Sequence, residues 1–395
     1  SEGLKWKEHK VISGLHANQH FFKEEYTSNL LLAQLPNAHA IMNGITFGGG
    51  VGMSTHAKVR TSTDKTLWAM PETAIGFFPD VGASSFLSHI PHNISMYLAL
   101  TGDRIKGGDL VHLGLANHFM FTHDYPHLYN RMADDHHSIQ QVTRIVNETA
   151  VDSDQLPKLS LQPHVECIER CFGQPTVPQI IEELKKETKD VEFAQKTLAL
   201  LNRMSPLSLR VTFEQMQRGR HMDLEESLEM EFDIARNMMD NADFYTGVES
   251  VLIKKERTKR PNWMHDDVTQ VRDEHVYNFF ETPAGRDKLD VIAREPVKGN
   301  GWEGIRRITF DEDNTVTAGP CDYQYPMFRP LPQQLHPVEW TTKHQYGSSR
   351  DAFHLMYWNY LFKHTWTRFP LTEDPAPMAR KLLTAHAQQL EKEES

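Results

Sequence analysis

A run of glycines at residues 48–52, Gly-Gly-Gly-Val-Gly, constrains the fold of this chain more than any other feature. The apolar residues 38–43 before it predict a buried strand, and a helix can begin at Gly50. Glycine accepts positive φ and close backbone approach, so such a run fits a tight turn between these two elements. A strand, a glycine turn and a helix N-terminus together point free backbone N–H groups at one place. The pattern therefore predicts a site that stabilises negative charge.

Two carboxylates, Glu72 and Asp80, follow the glycine turn and lie eight residues apart. Each comes directly after a proline, and the apolar residues Phe77 and Phe78 lie between them. An apolar surround disfavours the ionised form, so we expect a raised pKa for Glu72 that suits proton transfer near neutral pH. The alternative is a structural role, in which Glu72 lies at a strand end and accepts hydrogen bonds from neighbouring N–H groups.

Four motifs with a definite spacing lie in the first 106 residues. They are Phe-Phe-Lys-Glu-Glu-Tyr at 21–26, the glycine loop at 44–52, the segment 70–82 with Pro-Glu-Thr and Phe-Pro-Asp, and Ala-Leu-Thr-Gly-Asp-Arg-Ile-Lys at 99–106. In this order they resemble the 3-hydroxyisobutyryl-CoA hydrolases, a family of the crotonase (enoyl-CoA hydratase/isomerase) superfamily that acts in valine breakdown. The likeness continues through residues 203–209 and 230–232 and fades near residue 290. It implies an α/β fold with a crotonase-like spiral ββα core.

The resemblance also implies roles for individual residues in the hydrolysis of a short hydroxyacyl-CoA thioester. The backbone N–H of Gly49 would be one of two donors in the oxyanion hole that holds the thioester carbonyl. Glu72 would be the catalytic carboxylate, either as nucleophile or as base on water, and Asp80 would help to position the hydroxyacyl group. Glu24 would be a further substrate contact and Glu25 its structural neighbour. Coenzyme A is then part of the substrate, and neither a separate cofactor nor a metal is expected.

The sequence departs from the family pattern in three places. The family's first strands, and its Cys-Ala-Gly-Gly-Asp-like turn that donates the second oxyanion N–H, have no counterpart before Gly48, which predicts a core incomplete at its N-terminus. After residue 82 the family has further glycines, where this chain has Ala83 and Ser84. An expected Glu-Gly-Val-Arg-Ala reads Thr-Gly-Val-Glu-Ser at 246–250, which reverses a charge at Glu249.

The sequence predicts three regions: a crotonase-like core at 1–123, a helical region at 124–289 and an aromatic-rich extension at 290–395. Helices are expected at 20–35, 177–186, 191–203 and 224–239, whereas the polar residues 124–154 predict a linker. The extension contains four of the seven tryptophans, which argues against disorder. Its prolines predict extended pieces, and residues 348–369 predict a helix with aromatic residues on several sides. The extension either packs on its own core or binds a partner.

Composition excludes several classes of protein. A net charge of −11 argues against general nucleic-acid binding, because phosphate contacts need clustered lysine and arginine. The basic segment 254–260 is the exception, and it is either a solvated loop or a contact for RNA or the phosphates of coenzyme A. No apolar run is long enough to predict a membrane span. Three cysteines argue against a disulfide framework, and Cys167 and Cys171 are interpreted as buried structural residues rather than metal ligands.

Two functions from different classes remain open. The first is a 3-hydroxyisobutyryl-CoA-type hydrolase with an acyl-CoA substrate. The second is a catalytically impaired, hydrolase-like protein that is a structural subunit of the mitochondrial small ribosomal subunit, for which the resemblance offers a precedent in some lineages. In that second function residues 290–395 would contact the ribosomal assembly. Both functions imply a mitochondrial location.

Overall fold

The computed structural model describes residues 16–35, 38–132, 139–256 and 258–282, together with two short strands near residue 310. The strands of the first part form two three-stranded sheets. The first sheet contains, in spatial order, β1 (His39–Met42), β3 (Val59–Thr63) and β6 (His118–Met120), all parallel. The second contains β2 (Ile45–Phe47), parallel to β4 (Leu67–Ala69), and β5 (Ile105–Lys106), antiparallel to β4. A separate antiparallel pair consists of β7 (Thr309–Phe310) and β8 (Val316–Thr317).

The helices of the N-terminal part alternate with these strands. They are α1 (His16–Gln34), α2 (Gly49–Thr55), α3 (Ala83–Phe86), α4 (Ile94–Thr101) and α5 (Gly107–His112). Helix α2 connects β2 of one sheet to β3 of the other, and a 3₁₀ turn at Glu72–Ile75 follows β4. The glycine turn therefore lies where the chain passes between the two sheets.

Helices dominate the rest of the described chain. They are α6 (Tyr125–Met132), α7 (Ile139–Thr149), α8 (Val165–Phe172), α9 (Val177–Lys185), α10 (Val191–Leu201), α11 (Pro206–Gly219), α12 (Leu224–Met239), α13 (Ala242–Gly247) and α14 (Asp273–Tyr277). A π-helix at Val248–Ile253 continues α13, and short 3₁₀ turns lie at Thr122–Asp124, Ser153–Gln155, Gln162–His164, Val268–Gln270 and Asn278–Phe280.

Local capping explains where two of these helices begin. The Ser205 hydroxyl accepts a hydrogen bond from the N–H of Ser208 at the start of α11, where Pro206 is the first helical residue. At the start of α12, Asp223 and Glu226 each accept a hydrogen bond from the other's backbone N–H, which is a capping box. Helix α12 packs against both α1 and α3 and so brings the second half of the chain to the glycine turn.

The main hydrophobic core lies between these helices and the β2–β4–β5 sheet. Its largest fully buried side chains include Trp68, Tyr26, Phe78 and Phe86. Every residue of α4 is buried, so this helix is enclosed on all sides by the rest of the chain. Glu72 and Asp80 are themselves buried within this packing.

The linker predicted at residues 124–154 is wrong where the structure describes it, because α6 and α7 occupy most of this segment. Leu128, Val142 and Val146 are buried there and form a second core cluster with Val59 and Met120 of the first sheet. The segment is polar on average, but its few apolar residues recur at helical spacing and face the sheet.

Helices α1, α9, α10 and α12 confirm the four predicted helices to within a few residues. The extension predicted at 290–395, including the helix at 348–369, lies outside the described residues apart from strands β7 and β8. No helix in the described part of the chain is long and apolar enough to cross a membrane.

Candidate active site

The glycine turn lies directly against Glu72. Gly48 has a φ of 49° and a ψ of −118°, a backbone conformation that residues other than glycine rarely adopt. A Cβ atom at Gly48 would lie 2.7 Å from Oε1 of Glu72. Gly49 is the first residue of α2, and the first N–H groups of an α-helix have no acceptor within the helix. The structure therefore brings together the predicted carboxylate and the predicted oxyanion turn.

Glu72 is a buried carboxyl with an incomplete set of hydrogen bonds. It begins the 3₁₀ turn after Pro71, and 7% of its surface is exposed. Its Oε2 atom has no hydrogen-bond partner among the described residues. Burial raises the pKa of Glu72 to about 8, its own backbone N–H opposes this shift, and the charge of Glu25 adds to it. The sequence predicted a raised pKa for Glu72, and burial is the main physical cause of that rise.

Asp80 lies in the same buried region and is held by Tyr26. The Tyr26 hydroxyl donates a hydrogen bond to Oδ2 of Asp80 over 3.1 Å. Burial raises the pKa of Asp80 well above its usual range, and the charges of Glu25, Glu72 and Glu231 raise it further. Burial likewise raises the pKa of Tyr26, so this phenol keeps its proton and remains a donor.

Of the two adjacent glutamates in α1, it is Glu25 that acts on this cluster. Glu25 is buried, and its charge raises the pKa of both Glu72 and Asp80. Glu24 is only partly buried. The sequence assigned the substrate contact to Glu24 and a structural role to Glu25, and both assignments stay predictions; the structure adds an electrostatic effect of Glu25 on Glu72 and Asp80.

The spacing of residues in α1 indicates that Glu25 lies on the buried face of this helix. Phe22, Glu25 and Asn29 follow one another at intervals of three and four residues, so they share one helix face, and all three are buried. Sequence reasoning also missed Glu231, although it lies within the motif at 230–232. Nothing local in the sequence indicates its contacts, because they are all with residues 79–84 or with α11.

Cys167 and Cys171 are both buried and free, and their sulfur atoms lie 3.9 Å apart. A carboxylate oxygen of Glu187 lies within 4.8 Å of both, so these three residues are the ones that could hold a metal ion in the described part of the chain. The guanidinium of Arg170 already pairs with Glu187. The structural interpretation of the two cysteines stays a prediction.

The basic segment at 254–260 makes several contacts within the chain. Lys254 pairs with Glu249 and Lys259 with Glu256, at 2.9 and 2.8 Å. Arg260 donates hydrogen bonds to backbone carbonyls, including that of Asn202 at 2.8 Å. These contacts favour a solvated loop for this segment. Glu249, where the family charge is reversed, is exposed and takes part in one of these ion pairs.

Several known proteins are similar to this chain. A family profile described as enoyl-CoA hydratase/isomerase matches residues 5–280. Mitochondrial 3-hydroxyisobutyryl-CoA hydrolases from Danio rerio and Homo sapiens are 38% and 37% identical to the chain over 274 and 273 residues. These alignments cover 68% of this chain and 71% and 69% of the two relatives.

Solved structures show the same fold. An enoyl-CoA hydratase from Rhodobacter sphaeroides has a TM-score of 0.62 at 31% identity, over 71% of this chain and 79% of that one. A carnitinyl-CoA dehydratase from Mycobacterium thermoresistibile has a TM-score of 0.62 at 28% identity, over 69% and 76%. These similarities confirm the crotonase-like fold and the family resemblance predicted from the sequence.

Proposed function

Because the chain belongs to the 3-hydroxyisobutyryl-CoA hydrolases of the enoyl-CoA hydratase/isomerase family, we propose that it hydrolyses a short hydroxyacyl-CoA thioester of the 3-hydroxyisobutyryl type. The observation that carries the proposal is the carboxyl of Glu72, which is buried, has one unpartnered oxygen and lies against the glycine turn. Coenzyme A enters as part of the substrate. The mitochondrial names of the relatives support a mitochondrial location.

In the proposed reaction Glu72 acts as a carboxylate. It either attacks the thioester carbon, so that the C–S bond breaks and coenzyme A leaves as its thiolate, or it takes a proton from a water that attacks instead. In the second route the C–S bond breaks when the tetrahedral intermediate collapses, and the leaving sulfur receives that proton. If Glu72 attacks, water then cleaves the resulting anhydride and restores the carboxylate. In both routes the carbonyl oxygen becomes negative, and the N–H of Gly49 stabilises it. One such donor is typically worth about 10²- to 10³-fold in rate.

Asp80 has a different role because the Tyr26 hydroxyl donates a hydrogen bond to it and so fixes its orientation. A protonated carboxyl can donate as well as accept a hydrogen bond, so Asp80 suits the hydroxyl group of the acyl chain. The hydroxyl would then distinguish the substrate from the corresponding acyl-CoA without it. Glu25, from the same helix as Tyr26, is the third carboxyl of the site.

The test is hydrolysis of 3-hydroxyisobutyryl-CoA by the natural protein that contains this chain, measured as release of free thiol. We expect Glu72→Gln to lower kcat by about 10²- to 10⁴-fold, because the amide has the same shape but cannot act as base or nucleophile. Glu229→Gln, a change of the same kind at an exposed position of α12, is the control and should retain activity. Folded wild-type protein without turnover, or an active Glu72→Gln variant, would refute the proposal.

A second candidate is a structural subunit of the mitochondrial small ribosomal subunit. The observation that favours it is the end of the family match at residue 280, beyond which the sequence continues with four tryptophans. In this case residues 290–395 would bind the assembly, and the hydrolase site would be inherited without use.

A further inference from the structure

Glu231 is a fully buried carboxyl of α12 that holds the turn after Asp80. Its Oε2 accepts a hydrogen bond from the N–H of Gly82 over 2.6 Å. Its Oε1 accepts from the N–H and the hydroxyl of Ser84, over 2.8 and 2.6 Å. Burial raises the pKa of Glu231 to about 7, while these hydrogen bonds oppose the shift. One side chain therefore fixes two backbone N–H groups within four residues of Asp80.

Two further side chains donate hydrogen bonds to carbonyl groups of this turn. The amide of Gln215 in α11 donates to the carbonyl of Pro79 over 2.6 Å and to the Ser84 hydroxyl over 2.9 Å. The imidazole of His56 donates to the carbonyl of Val81 over 2.7 Å. Burial lowers the pKa of His56 to about 4, so this ring is neutral at physiological pH.

The turn needs such support because its backbone is strained. Val81 has a φ of 56°, which is unusual for any residue other than glycine and especially for a β-branched one. Such a conformation costs on the order of 1–3 kcal/mol and persists only where the surroundings enforce it. The hydrogen bonds that Glu231 accepts from Gly82 and Ser84 lie directly after this strained residue.

We propose that Glu231 is a positioning residue that acts on the acyl-CoA site through Asp80. The inference rests on the proposed function, because it concerns the residue expected to bind the acyl hydroxyl. It also gives a role to a departure from the family pattern. Ser84, which stands where the family has glycine, donates its hydroxyl to Glu231 and accepts from Gln215.

The experiment is a double-mutant cycle in the natural protein with Glu231→Gln and Asp80→Asn. Glu231→Gln replaces one carboxylate oxygen with an NH₂ group, which cannot accept the hydrogen bond from Gly82 or Ser84. We expect each single variant to lower kcat/KM for 3-hydroxyisobutyryl-CoA by roughly 10- to 100-fold. The double variant should be no worse than Asp80→Asn alone, because residues that act as a unit give non-additive effects.

Substrate selectivity separates positioning from general damage. With isobutyryl-CoA, which lacks the hydroxyl, Glu231→Gln should lose much less activity than with the hydroxylated substrate. A purely structural defect would lower both rates by the same factor. Glu229→Gln on the same helix is the matched control, and Ser84→Ala is a milder variant that removes only the hydroxyl contacts should Glu231→Gln fold poorly.

Amide hydrogen exchange tests the hydrogen bonds to Glu231 without any turnover. The N–H groups of Gly82 and Ser84 should exchange faster in Glu231→Gln than in the wild type and in Glu229→Gln. Unchanged exchange at these two amides, or losses that multiply in the double variant, would overturn the inference. Wild-type protein without activity would instead refute the proposed hydrolysis, whatever the exchange result.

Discussion

Three carboxyl groups, from Glu25, Glu72 and Asp80, share one buried region near the glycine turn. Removing carboxylates from water disfavours their ionised form, and each negative charge further disfavours the others. The charge of Glu25 therefore adds to the effect of burial and raises the pKa of both Glu72 and Asp80 further. A cluster of this kind is typical of functional sites, where strongly shifted pKa values are concentrated.

The pH dependence of hydrolysis tests the partnership of Glu72 and Glu25. Since Glu72 must be ionised and its pKa is about 8, the rate should rise with pH and reach half of its maximum near pH 8. The charge of Glu25 raises this pKa, so Glu25→Gln should move the midpoint to lower pH. The measurement is kcat/KM between about pH 6 and about pH 10, roughly two units on either side of the shifted pKa.

Glu24→Gln is the matched comparison for this experiment, because it changes the neighbouring glutamate of the same helix. We expect the midpoint to stay where it is in the wild type. A shift caused by Glu24→Gln but not by Glu25→Gln would contradict the electrostatic effect of Glu25 on Glu72.

At the level of elements, the site depends on two turns that are packed without space for larger residues. One is the glycine turn between β2 and α2, and the other is the 3₁₀ turn at Glu72–Ile75. Gly247, at the end of α13, lies directly against the backbone of Ile75, and Gly102 lies against Pro71. Small residues from remote helices thus allow the turn of Glu72 to sit tightly in the core.

Gly48→Ala should damage both stability and activity. The new methyl group would lie 2.7 Å from Oε1 of Glu72, and the positive φ of Gly48 adds strain of order 1–3 kcal/mol. We expect a lower free energy of unfolding in urea and at least a tenfold loss of kcat/KM, as for a misplaced catalytic group.

Gly50→Ala is the control for stability, since a Cβ atom there meets nothing within 4 Å and Gly50 lies inside α2. Alanine is a better helix former than glycine, by up to about 1 kcal/mol, so this variant should be at least as stable as the wild type. Equal losses of stability in Gly48→Ala and Gly50→Ala would show that the positive φ of Gly48 and its contact with Glu72 do not limit the stability of the protein.

At the level of the whole molecule, the chain is longer than the part that matches the family. The match covers residues 5–280, and the described helices end at Asn278–Phe280. The residues beyond contain four tryptophans, and their composition leaves open whether they pack on the core or bind a partner. The hydrolase candidate therefore depends on residues within 5–280, whereas the ribosomal candidate depends on residues 290–395.

Substitution of Trp358 and Trp366 by alanine in the full chain tests this separation. If the extension binds the mitochondrial small ribosomal subunit, this double variant should lose co-sedimentation with the subunit at high salt and keep its rate of hydrolysis. Tyr129→Ala, at an exposed aromatic of α6, is the control and should keep both. A wild-type protein that runs only as a free species, apart from ribosomal subunits, would contradict the ribosomal candidate.

The sequence by itself determined the family and four of the helices, and it predicted the pair Glu72 and Asp80, both of which are buried. These follow from local patterns: glycines where the backbone needs them, caps such as Ser205 before Pro206, and motifs with a definite spacing. The segment at 124–154 shows the limit of such patterns. Its average polarity concealed the apolar faces of α6 and α7, which become evident only against the sheet that they cover.

Only the tertiary structure decided which side chains share the site. Glu231 and Ser84 are 147 residues apart in sequence, and the burial of Glu25 depends on which face of α1 packs inward. The physical reason is that burial, pKa and hydrogen-bond partners are set by neighbours from remote segments. The sequence supplies the carboxyl groups, and the packing of α1, α11 and α12 around the Asp80 turn determines their chemistry.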